Sequence, residues 1–478
     1  MTPVIRNYIA LLLDGDEPDV RRRAAEELAA APGLAPITAL AAALEDESKG
    51  VRDAAGRSLL ATGGIAVARA IVEHIEHHNI VTRNLVAELL IKLGDTSIPE
   101  ILPYLRHENR DVRKFAVDIL GRIGSDEPTL RLLPLLEDPD DNVVVSTVEA
   151  LGNMRSKAGL QGLYDTYDRH ECARPAVAEA LGKICATDAE GFLMDRFRQS
   201  LGVHATDPVT LFAIIEALGV LGGGDALAEL RQTLDAVRGT LRTASLHAMV
   251  RISERLGRAL PAGEGLKHDY LRAAKEADPA VRISGVKGLS GYSGGDVTEA
   301  LIHVLGADPE IDAVAVPALL RRDDTLHAAT AALEQLSQGQ RKAVIVLLGR
   351  LTMEAIESVM RKAITTGDEE VFGRVFATVA GQWSAADEET RAVIVDVLFR
   401  LDGDRAVEFL DAIMNDPDPW LRIHVIDVIA AIADPRAPEF ITRFLRDDNE
   451  MVREMALSTL QRKGYTPAPR DAGGEDVK

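Results

Sequence analysis

The chain has 478 residues, a formal net charge of −21, and 46% hydrophobic but only 4% aromatic residues. Its acidity is spread along the chain, which removes the usual electrostatic drive toward nucleic acid or an anionic membrane surface. Only Cys172 and Cys185 are present, too few for a disulfide framework and without metal-ligand spacing.

The opening stretch, MTPVIRNYIALLLDGDEPDV, carries a short apolar run with no basic region before it and no small-residue cleavage site. No later segment approaches the uninterrupted apolar length of a membrane span. A cytoplasmic location and no membrane partner are expected. Leu, Ala, Val and Ile dominate the apolar fraction, which suits many thin helices packed closely, so the chain reads as all-α.

Residues 105–125, LRHENRDVRKFAVDILGRIGS, hold the pattern that recurs about every 31 residues. Asn109, Arg110 and Asp111 interrupt two apolar runs. Val112, Ala116, Val117, Leu120 and Ile123 then follow one helix face, and Gly124 suits a C-cap. Upstream, Ile98, Ile101, Leu102 and Leu105 form a shorter stripe behind Pro99. The unit predicts helix, short turn, helix, and neither helix has enough apolar surface to fold without neighbouring copies.

An arginine recurs at one position of the second helix: Arg21, Arg52, Arg83, Arg113, Arg174, Arg242, Arg282, Arg341, Arg391, Arg422 and Arg453. Val144, Leu211 and Asp312 fill that slot in three further copies. Seven residues on, a leucine usually marks the buried line, as at Leu28, Leu120, Leu181 and Leu460. Six residues before the slot stand Asp46, Asp138, Asp168, Asp416 and Asp447. An acid in the turn and a base at the next helix start predict a sideways ladder of ion pairs between repeats.

The D-x5-R spacing and the V-R-x-x-A-x-x-x-L run resemble the HEAT-repeat family, especially its short bacterial and archaeal type, from about residue 3 to 464. The resemblance implies an α-α superhelix, a HEAT-like solenoid, of about fourteen helix pairs. The period loosens at GVHATDP (202–208) and again at ERLGRALPAGEGLKHDY (254–270), which contains Pro261, Gly263 and Gly265. The expected organisation is a solenoid over 1–253, a loop or hinge over 254–270, a second solenoid over 271–464 and a disordered tail over 465–478. An extra helix, near residues 371–382, does not fit the spacing.

HEAT-like arrays include enzymes. His107-Glu108 and His170-Glu171 invite comparison with deoxyhypusine hydroxylase, whose His-Glu pairs directly follow the valine-arginine step. Lys114-Phe115 and Pro175-Ala176 occupy those positions here, so the two pairs read as turn residues. His74, His77 and His78 have the i, i+3, i+4 spacing that places imidazoles on one helix face, a weak metal candidate set beside Glu73 and Glu76. A surface or structural role fits them better, because His77 occupies the turn slot that aspartate takes elsewhere. Alkylpurine-type DNA glycosylases and the bilin lyases of phycobilisome assembly share the scaffold. Trp383 and Trp420 lie in no basic cluster, and no residue reports a tetrapyrrole site. No nucleotide loop, nucleophile triad or zinc spacing appears. The expectation is therefore no catalytic residue, no cofactor, no metal and no enzyme: a non-catalytic scaffold or adaptor that binds another protein. A lyase- or hydroxylase-type enzyme or metal-handling protein is the alternative.

In the HEAT family the second helices line the inner face, and residues one, five and nine after the slot are expected to point outward there. The fifth position is acidic at Glu26, Glu88, Asp118, Glu149, Glu179, Glu216, Asp396 and Asp427. Lys92, Arg122, Lys183 and Arg400 follow four residues after an acid, where i,i+4 pairing gives a self-paired face as readily as a docking stripe. The stripe then ends, and Lys287, Pro317, Arg321, Val346 and Arg350 form a mixed basic and apolar strip. The partner-binding candidates are Glu88, Asp118, Glu149, Glu179 and Glu216, with that strip as a second set; burial in irregular packing is the competing account of the strip.

Overall fold

The computed structural model describes residues 1–201, 207–348, 366–401, 405–406, 409, 413–431 and 435–465. Among them every regular element is helical, and the chain divides into two compact units, Met1–Pro261 and Ala262–Lys478. The loop residues 202–206, the start of the 358–389 irregularity (358–365) and the tail beyond Tyr465 lie outside the described residues, as does Arg350.

The repeat at 98–124 shows how the sequence builds one pair. An α-helix begins at Ile98–Ile101 and tightens into a 3-10 turn, Leu102–Arg106. Pro103 has no N–H to continue the α ladder, which favours this tightening. The second helix, Arg110–Ile123, starts where the Asn109 side chain accepts from the Asp111 N–H and stops at left-handed Gly124, φ 76°. Val112, Ala116, Val117 and Leu120 are all buried, and Ile123 is half-buried.

Successive second helices pack side by side at very short range. A Cβ built on Gly121 falls 2.8 Å from the Cα and Cβ of Ala150, and one on Gly152 falls 2.8 Å from those of Ala180. The same contact is 3.3 Å at Gly182 against Ala217 and 3.1 Å at Gly219 against Ala248. Each glycine stands eight residues after the slot, and each alanine six after the next one. The missing methyl is what lets the helix backbones approach.

The expected ladder forms. Arg21 Nε and Nη2 donate to the Asp46 carboxylate at 2.7 and 3.1 Å, and Arg113 grips Asp138 through both groups at 2.8 Å. Arg422 holds Asp447 at 2.9 Å through the same two groups, and Arg391 reaches Asp416 through Nη1 at 2.8 Å. Each aspartate also accepts the N–H two residues on, from Ser48, Asp140, Asn449 and Asp418 respectively. Asp168 departs from the row and pairs with Arg196 instead.

Two ladder positions carry histidine. His77 Nδ1 accepts from the Asn79 N–H at 3.1 Å, and His107 Nδ1 from Asn109 at 3.0 Å, the turn bond that aspartate makes elsewhere. Their Nε2 atoms face Glu45 and Glu76 of the preceding repeats, each at 3.5 Å. The α-helical face expected for His74, His77 and His78 does not form. His74 lies in a 3-10 turn, Val72–Glu76, and His77 caps it in extended conformation.

The helix near 371–382 is Thr366–Gly381, and it packs on Glu388–Leu401 as the first member of an ordinary pair. Its apparent irregularity comes from the spacing before it.

The glycine row gives a graded expectation. Gly152→Ala costs about 1–3 kcal/mol from overpacking against Ala180, more than the roughly 1 kcal/mol of helix propensity it gains. At the 3.3 Å contact, Gly182→Ala comes out near neutral; denaturant unfolding of both variants checks the order. For the ladder, Arg422→Ala leaves Asp447 buried and unpaired, since the two side chains are 6% and 3% exposed. The expected loss is about 3–5 kcal/mol, read from the denaturation midpoint.

Candidate functional site

The exposed face of the second-helix row in the first unit carries a groove of about 740 Å³. It runs across Asp141–Asn153, Arg174–Ile184 and Pro208–Leu221. Val145 and Glu149 line it from the first, Pro175, Glu179 and Lys183 from the second, and Phe212, Glu216 and Val220 from the third. These are positions one, five and nine after the slot, so the face predicted from the spacing is the face that lines the groove. A volume of this size lies in the range of small-molecule sites.

The floor and rim are mostly apolar, with Ala176, Val209, Ala213 and Ala217 completing them. Val209 is 63% exposed and Phe212 39%. The charges within are unequal in their commitments. Glu179 is held by Lys183 at 2.7 Å, and Lys183 also donates to Asn153. Glu216 meets Arg251 at 3.5 Å. Glu149 and Arg155 have no ion-pair partner among the described residues, although both line the groove.

Arg155 and Cys185 are features that sequence reasoning missed. Both have positive φ, 52° and 54°, and are the non-glycine residues found there among the described residues. Both follow a second helix, at the position where Gly124 ends Arg110–Ile123. A side chain at a left-handed C-cap costs of order 1 kcal/mol relative to glycine. In both repeats that side chain reaches the groove. The signal lay in the pattern: two consecutive repeats lack the expected glycine.

Cys172 also lines the groove. Partial burial pushes its thiol pKa up, and the nearby Asp141 carboxylate adds to the effect. The thiol is thus kept protonated, which disfavours it as a nucleophile.

The other candidates stand elsewhere. Glu88 pairs with Lys92 at 2.6 Å and Asp118 with Lys114 at 2.8 Å, on the same helix row but outside the groove. Lys287 is half-buried, Pro317 and Arg321 are exposed, and Val346 is half-buried, all in the second unit; Arg350 lies outside the described residues. His74 and His77 converge on Glu45, with Nε2 atoms 3.2 and 3.5 Å from its carboxylate, and His78 stacks near His77 with ring centroids 4.3 Å apart. No group of three or more His, Cys, Asp or Glu among the described residues is placed to hold a metal ion. No helix among them is long and apolar enough to cross a membrane.

The family model of HEAT repeats matches residues 98–182 and 380–461. With the helix pairs, the ladder and the glycine row, this makes the chain a HEAT-repeat protein with the all-α solenoid fold. Among curated proteins it is 27% identical over 169 residues to phycocyanobilin lyase subunit alpha of Picosynechococcus sp., covering 35% of this chain and 53% of that protein. The chain thus spans about half the length of the curated relative it matches. Among solved structures, the CpcE–CpcF complex of phycocyanin lyase from Nostoc sp. matches at 18% identity, with a TM-score of 0.33, over 53% of this chain and 94% of that one. A karyopherin bound to a SUMO protease matches at 13% identity, with a TM-score of 0.42, over 97% of this chain and 62% of that one.

The match to a lyase subunit corrects the expectation that the chain is not an enzyme. That expectation rested on the lack of local catalytic motifs. A site assembled from one or two residues of each of three helices leaves no such motif in the sequence.

In the second unit the acidic row includes a titrating pair. His424 Nε2 meets Asp396 at 3.1 Å. This hydrogen bond raises the histidine pKa above its ordinary 6.5, against partial burial and with help from Asp427. A raised folded value means the pair's contribution is full below the unfolded pKa and is lost as pH rises through the folded one. Imidazole NMR titration is expected to give a midpoint for His424 above 6.5 that falls toward the ordinary value in Asp396→Asn.

Proposed function

We propose that this chain is a lyase-type HEAT-repeat protein whose groove in the first unit holds an extended, largely apolar molecule. The molecule carries NH donors for Glu149 and a carboxylate for Arg155. The observation that carries this reading is the pair of opposite charges, Glu149 and Arg155, that line the groove without an ion-pair partner among the described residues, one of them on a left-handed backbone.

Open-chain tetrapyrroles have this chemistry, with pyrrole NH groups along an apolar chain and carboxylate side arms. Phycocyanobilin, from the curated relative's name, is therefore the natural probe. A protein partner then meets the same row of second helices, where Val209 and Phe212 are exposed beside the acidic stripe.

Phycocyanobilin titration of the full chain, followed by absorbance, is expected to saturate. Glu149→Gln with Arg155→Gln weakens binding by roughly tenfold or more while leaving the melting temperature within about a degree or two, as for surface changes. Equal affinity in the double variant, or no saturable binding at all, overturns the reading.

A further inference from the structure

Arg282 in the second unit has no ladder aspartate to meet, and it lines a cavity. Arg282, at the start of Pro279–Leu289, holds the same slot as Arg21, Arg113, Arg391 and Arg422. Six residues before the following slot, where those partners find an aspartate, stands Gly306, and Ala307 follows it. Asp308, next in line, accepts the Glu310 N–H as a helix cap and is not paired with Arg282.

The guanidinium has turned accordingly. Nε donates to the Glu276 carbonyl at 2.9 Å and Nη2 to the Ala277 carbonyl at 3.0 Å, so Nη1 has no partner among the described residues. Arg391 shows what this turned arrangement can still do: its Nε donates to the Trp383 carbonyl at 3.2 Å while Nη1 reaches the Asp416 carboxylate at 2.8 Å. Arg282 lines a cavity of about 580 Å³ together with Lys275, Leu271, Ala300, Val304 and Ala307.

The geometry points to a binding site for a small-molecule monocarboxylate with an apolar body, whose carboxylate accepts from Nη1 of Arg282 in this cavity. Lys275 adds a second cation, and Leu271, Ala300 and Val304 receive the apolar body. Asp296, already held by Lys267 at 2.8 Å, and Glu299 stand on the other wall. These carboxylates repel a second negative charge, which selects against dicarboxylates and phosphates. His303 donates from Nδ1 to the Glu299 carbonyl at 2.8 Å and adds no acid to the wall. The volume suits a whole small molecule; a single acidic side chain from a partner fills only a fraction of it.

The site is independent of the groove in the first unit. Its test is calorimetric titration of the full chain with octanoate, with octanamide as the uncharged match and an amide-capped peptide carrying one aspartate as the protein-derived alternative. Octanoate is expected to bind saturably, octanamide at least tenfold more weakly, and the peptide not detectably. Arg282→Gln weakens octanoate at least tenfold. Ala307→Asp puts a carboxylate into the cavity lining, so it abolishes octanoate binding while leaving the melting temperature within about a degree or two, which separates blockade from misfolding. Octanamide binding as well as octanoate, full affinity in Ala307→Asp, or binding of the peptide alone overturns the assignment.

Discussion

The contact on which the first unit's architecture depends is the approach of one second helix to the next at Gly121–Ala150, Gly152–Ala180, Gly182–Ala217 and Gly219–Ala248. Where a β-carbon has no room, neighbouring helices share one surface instead of being separated by a cleft of side chains. The residues one, five and nine after the slot then stand close enough to line a single groove. Wider spacing would leave Glu149, Glu179 and Glu216 on three separate ridges. The glycines are therefore structural in origin and functional in consequence, although none of them lines the groove except Gly182.

The ladder acts at the other end of each helix, and its interest lies in how it is interrupted. An Arg–Asp pair that also captures the N–H two residues on both closes the turn and ties two repeats together. Histidine at 77 and 107 keeps the first task through Nδ1 and alters the second: an imidazole offers no carboxylate to Arg52 or Arg83, and its Nε2 faces Glu45 or Glu76 of the preceding repeat instead. Asp312 inverts the polarity. Its carboxylate accepts the Gly306 N–H at 2.9 Å, whereas arginine at the slot donates to the carbonyls of the same turn. The turn needs a polar bond from the slot residue, and either sign of charge can supply it. What differs is whether a guanidinium one repeat away is left in need of a carboxylate.

Period and spacing made the helix pairs, the buried leucine line, the ladder partners and the outward positions legible, because each depends on residues at fixed offsets within one repeat. What stayed hidden depends on departures in single copies. Arg155 and Cys185 sit where the eye expects glycine, and a missing glycine in a degenerate repeat is weak evidence until φ is seen to be positive there. Arg282 looks like every other slot arginine, and only the geometry shows that it lines a cavity with Nη1 uncommitted among the described residues. The acidic positions share the exposed side of the second helices, and their charges differ in commitment. Most of these acids are committed to neighbours, and Glu149 is the member of the groove that is not.

That distinction bears on how a repeat protein acquires chemistry. A solenoid built from near-identical units tends to satisfy its charges, since most acids at the fifth position meet a base one turn away on the same helix or one helix across. A site arises where this arithmetic fails locally, by replacing a base, removing an aspartate or putting a side chain on a left-handed cap. Each such change is small for stability, because the glycine row and the remaining ladder pairs still hold the stack. The groove at Glu149 and Arg155 and the cavity at Arg282 are both failures of this kind. In each, the charge that the repeat leaves unmatched specifies the chemistry of what can bind.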